Sequence, residues 1–142
     1  MNMKELMSTN ESWGLLGLRL VTGAVFIAHG LPKFGIGGGH GLEGTAGMLE
    51  GMGIPLPMLA AILLASSELI GGAMLIIGFM TRVAAATQVF AMLVAVFLVH
   101  FSNGFVGQGG YQWALLMTAC AFALMIDGAG RYSVDGKMSG NG

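Results

Sequence analysis

From Leu56 to Ile77 the chain is a long apolar run broken by a single ionisable residue, Glu68. Such a run has the length of a helix that crosses a hydrocarbon core about 30 Å thick, for which about 20 residues are needed. An acid at the centre of such a helix costs roughly 2.5 to 3.5 kcal/mol even on lenient insertion scales, so it marks a functional site by default and calls for a partner inside a bundle. The residue therefore constrains both the environment of the fold and the place where its chemistry is sought.

The rest of the chain agrees. Of 142 residues, 55% are hydrophobic and only 9% charged, and the mean hydropathy is +0.79, above that of soluble domains. One integral membrane domain over residues 1–142 is expected. The net charge of -1 offers no basic footprint, so nucleic acid is excluded as a partner and the lipid bilayer is the expected surrounding. Cys120 is the only cysteine, which rules out an internal disulfide or dithiol chemistry by this chain alone.

Four spans are predicted, over residues 13–30, 56–78, 83–101 and 111–126, giving an all-α membrane protein, a four-transmembrane-helix bundle. Interior glycines such as Gly23, Gly71 and Gly72 read as close-packing positions. Arg19 interrupts the first span, and no small-residue cleavage site follows it, so that span is read as a helix and not as a signal peptide. Lys4, Arg82, Arg131 and Lys137 fall on one side and Lys33 alone on the other, which by the positive-inside rule makes both termini cytoplasmic. The long first extracytoplasmic loop, residues 31–55, opens on a glycine-rich stretch. It then places Leu42, Met48, Leu49 and Met52 on one side of a short interfacial helix, either a lid or a solvated linker. Its glycines lack the ending of a nucleotide loop. The glycine-rich tail, residues 128–142, is expected to be a flexible extension.

The first helix carries the best constellation. Arg19, Thr22, Phe26, His29 and Lys33 share an arc of about 80° at 100° per residue, a polar stripe that lipid would not tolerate. Counting from the cytoplasmic end puts Arg19 and Glu68 about 6 Å apart in depth, within reach of an arginine, so an Arg19–Glu68 pair is expected, as structural glue or as the floor of a polar pocket. In the pocket reading Arg19 donates to an anionic or carbonyl oxygen and Glu68 exchanges a proton. His29 is a further proton-relay candidate. His29 and His100, at similar depth, also permit an axial haem pair. His40 is read as a loop residue, and no metal site is expected.

Taken in order, Leu18-Arg19-Leu20 with Gly23, His29-Gly30-Leu31-Pro32-Lys33-Phe34, Gly53-Ile54-Pro55, Glu68-Leu69-Ile70-Gly71-Gly72, Gly78-Phe79-Met80-Thr81-Arg82 and Gly109-Gly110-Tyr111 resemble the DoxX family over residues 15–127. The resemblance implies a small four-helix protein of the bacterial inner membrane. Its relatives include a small membrane subunit associated with thiosulfate:quinone oxidoreductase and a component of a mycobacterial membrane oxidoreductase complex. By position, Arg19, His29, Lys33, Glu68, Arg82 and His100 match the family's polar pattern. Gln112 stands where many relatives carry an acid, which removes a proton-transfer group there.

These expectations, with what the resemblance implies, converge on a membrane subunit of an oxidoreductase complex in sulfur/thiol or oxidative-stress metabolism. Quinone is its expected cofactor, bound by Arg19, His29, Lys33, Glu68 and His100, with Glu68 and His29 as proton-exchanging groups. A redox partner protein is required because the chain has no flavin, iron-sulfur or dithiol motif. The alternative is a non-catalytic scaffold or small-molecule permeation protein; a homo-oligomer is compatible with either.

Overall fold

The computed structural model describes residues 13–140 together with Glu5 and Met7. Lys4, counted above among the basic residues, lies outside the described residues, as do Asn141 and Gly142. The described chain is helical, with no strand: α1 (Trp13–Lys33), α2 (Gly41–Gly51), α3 (Pro57–Ile77), α4 (Thr81–Val94), α5 (Gln112–Asp127) and α6 (Val134–Met138). Beyond Val94, α4 runs on through a π-helical turn (Ala95–His100) and a 3-10 turn (Phe101–Asn103). Among the described residues, three helices are long and apolar enough to cross a membrane: Trp13–Lys33, Pro57–Ile77 and Thr81–Asn103. The fourth apolar helix, α5, is shorter at 16 residues.

Local rules account for the boundaries. Pro57 opens α3, where its missing N–H would be unbonded anyway, and Gly78 closes it in the left-handed region at φ 69°. Pro32 falls in the last turn of α1, where it ends the helix without disrupting its interior.

In the bundle α1 packs on α3, α3 on α4, α4 on α5, and α5 returns to α1, leaving α1 and α4 diagonal. The tightest seam is glycine-built. A Cβ on Gly23 would lie 2.6 Å from the Gly72 carbonyl oxygen, and one on Gly30 would lie 2.9 Å from the Leu69 nitrogen. Neither position tolerates a side chain, so the two antiparallel backbones are held in one register. Gly72→Val would wedge them apart. The core between the helices is formed by Phe26, Leu75, Ala84, Ala85, Met117, Ala121 and Leu124. Large apolar side chains such as Val21, Leu63, Ile70, Phe90, Phe97 and Phe122 point outward and form the face a lipid environment requires.

Residues 128–140 differ from the free extension expected of them. Ala129, Ser133 and Asp135 are buried, α6 forms, and the segment closes over one end of the bundle. Its glycines serve turns, with Gly128 and Gly130 both at positive φ, and so were misread as a sign of flexibility.

Candidate functional site

Two polar clusters occupy opposite ends of the α1/α3 seam. In the first, Lys33 Nζ lies 2.6 Å from Glu68 Oε2, joining the last turn of α1 to the middle of α3. The same Nζ donates to the His29 carbonyl at 2.9 Å. Glu68 is buried and Lys33 nearly so, with side-chain exposures of 4% and 13%. His29, one turn earlier on α1, is within electrostatic reach of Glu68, and its ring remains exposed. A carbonyl oxygen can only accept, so His29 Nδ1 donates to Val25 O at 2.9 Å and leaves Nε2 as the available atom. Deeper on α4, the fully buried Gln88 donates from Nε2 to the carbonyl of Ser67, next to Glu68, in space left by the missing side chain of Gly71.

The partner of Glu68 is therefore Lys33 and not Arg19. The glycine seam sets this register: Glu68 is level with Gly30, while Arg19 is level with Gly78, where a Cβ would meet Arg19 Nη1 at 2.8 Å. From residue 19 to residue 30 the helix rises about 16 Å, too far for an arginine to span. Counting residues from the span ends misplaced α3 by about two turns relative to α1.

Arg19 instead organises the second cluster. It is 2% exposed and donates to the carbonyl of Ala129 and, at 2.7 Å, to that of Tyr132. Asp135, 1% exposed, lies within electrostatic reach of it. The carboxylate of Asp135 accepts from Met80 N at 2.8 Å and Thr81 N at 2.9 Å, capping the start of α4, while its own N–H donates to Gly78 O at 2.9 Å. Ser133 caps α6, accepting from Gly136 N at 2.9 Å. The rings of Trp13 and Tyr132 pack with centroids 4.2 Å apart, tilted by 30°. Arg82 donates to the carbonyls of Met125 and Ile126, satisfying the last turn of α5.

Of the predicted site residues, the structure brings Lys33, Glu68 and His29 together. It sets Arg19 at the other end of the seam, and His100 on the far helix. His100 Nδ1 donates to Gly109 O at 2.8 Å, within the loop between α4 and α5, and α4 lies diagonal to the helix that carries His29. His40 is an exposed residue just before α2. Asp135, Ser133 and Gln88 were not anticipated. The pattern Ser133-x-x-Gly136 was readable as a cap, whereas nothing local to Asp135 reveals that it caps a helix 54 residues earlier.

A helical bundle with outward apolar faces and a buried ion pair fits a multi-pass membrane protein, and relatives named as inner membrane proteins put it in the inner membrane. The DoxX family model matches residues 14–101, and the chain belongs to that family. It is 34% identical over 78% of its length to the Bacillus subtilis protein named "Putative oxidoreductase CatD", of which it covers 78%. Two Escherichia coli inner membrane proteins are each 32% identical: YphA, over 85% of this chain and 87% of its own, and YqjF, over 88% and 92%. No solved structure matches.

Proposed function

We propose that the protein is the membrane subunit of a quinone-linked oxidoreductase complex, with Lys33, Glu68 and His29 as its head-group site. The observation that carries this reading is the buried Lys33–Glu68 pair beside an exposed histidine. The B. subtilis relative named as an oxidoreductase supports the reaction class.

The donor inventory fits a quinone. Lys33 uses one N–H on Glu68 and one on the His29 carbonyl, and its third remains to donate to a carbonyl oxygen. His29 presents Nε2, which accepts a proton from a hydroxyl. Glu68, held against Lys33, is placed to exchange protons with the same locus. When bound, a quinone supplies the two-electron, two-proton couple; a partner protein supplies or receives the electrons. Arg19 has no part in this site, since its guanidinium is engaged by the closing segment 128–140.

We place α5 as a fourth membrane helix and both termini in the cytoplasm, because Arg82, Arg131 and Lys137 gather at the Arg19 end and Lys33 stands at the other. The test is quinone content in lipid extracts of protein purified gently from native membranes. Quinone is expected with the wild type and lost from Lys33→Met and Glu68→Gln, both still folded. Its absence from the wild type, together with solute flux through vesicles, would replace this reading with a permeation protein.

A further inference from the structure

Helix α2 packs on the outer end of α3 through its own small apolar cluster. Ala46 and Leu49 of α2 meet Ala61 of α3, with Ile54 and Ala60 alongside, and this cluster is separate from the main core of the bundle. On α3, Ala61, Ala65 and Glu68 recur at helical spacing on one buried face. Between the α2 cluster and the carboxylate, the fully buried positions of that face are these two alanines, each 0% exposed, with the half-buried Leu64 along their edge.

The connections of α2 are glycine-built at both ends. Gly35, Gly37, Gly38 and Gly41 precede or open it at φ between 70° and 80°, and Gly53 follows it at φ 75°. The backbone at each end is thereby free to change conformation at low cost. The first connection is seated on the end of α1: Gly39 packs against the backbone of Pro32, next to Lys33. Glu43 and Glu50 lie exposed on the far side of α2.

We propose that α2 is a hinged cover over the Lys33–Glu68 pair, and that its displacement opens the Ala61–Ala65 face to an amphiphile bearing a hydrogen-bonding head group. Opening breaks one small cluster and leaves the main core intact, so it is a local transition of low cost. The identity of the head group rests on the preceding proposal, whereas the motion of the cover does not.

The test is thiol accessibility in membrane vesicles. Ala65→Cys is placed in a Cys120→Ala background and labelled with a small methanethiosulfonate reagent, with and without Leu49→Ala, which loosens the cover. Ala121→Cys, in the main core, serves as control. Leu49→Ala is expected to raise the labelling rate at position 65 at least tenfold and leave that at position 121 unchanged. An unchanged rate at 65, or an equal rise at both positions, would overturn the proposal. Neither result depends on quinone, so failure of the head-group assignment is read separately, from the lipid extracts.

Discussion

The two ends of the α1/α3 seam use buried charge in opposite ways. At the Arg19 end, charged side chains are bonded largely to backbone: Arg19 to the carbonyls of Ala129 and Tyr132, and Asp135 to the amides of Met80 and Thr81. At the Lys33 end, two side chains bind one another, and Lys33 and His29 retain unused bonding capacity towards a ligand. Charges bonded to backbone fix one conformation, because their partners cannot turn away. A side-chain pair with a spare donor can reorganise around something else. The first end should therefore carry stability and the second chemistry.

The comparison breaks most visibly at Arg19. Arg19→Leu leaves two carbonyls and Asp135 without their buried cation and should cost about 3 to 5 kcal/mol, the range for stripping one partner from a buried charge cluster. The check is thermal unfolding in detergent. Asp135→Ala removes the cap from α4 and should cost about 2 kcal/mol, read in the same assay. Lys33→Met and Glu68→Met each strand a buried charge, but the double variant replaces a buried ion pair with apolar groups and should recover to within about 1 kcal/mol of wild type. That cycle sharpens the contrast, because the recovered protein should still have lost quinone. The smallest effect belongs to His29→Ala: within about 0.5 kcal/mol in stability, as for an exposed residue, with a measurable loss of quinone retention. Equal destabilisation by the five single variants would mean that the two ends are alike.

Much of the fold was legible in the residues. The apolar runs located α1, α3, α4 and α5 to within a few positions, because span length is dictated by the bilayer and not by details of packing. The apolar positions from Leu42 to Met52 likewise foretold α2 within one residue of Gly41–Gly51. The polar stripe on α1 was legible as an arc, and Arg19, Thr22 and Phe26 are indeed buried. Its pairing was not legible, since helical periodicity gives the face of a residue but not the axial register between two helices. That register comes from the contact of Gly23 with Gly72, a property of two backbones together. The role of the closing segment was hidden for a related reason: glycine signals a turn equally well in an ordered strap and in a loose tail.

The bond from Arg19 to Ala129 joins positions 110 residues apart, and this has a consequence for biosynthesis. At about 5 to 20 residues per second, the ribosome takes roughly 5 to 20 s to supply the carbonyls that Arg19 requires. Throughout that interval the nascent first helix holds an uncompensated guanidinium. Docking of the closing segment is therefore expected to be the late step that locks the Arg19 end of the seam, after the helices it joins have already been made.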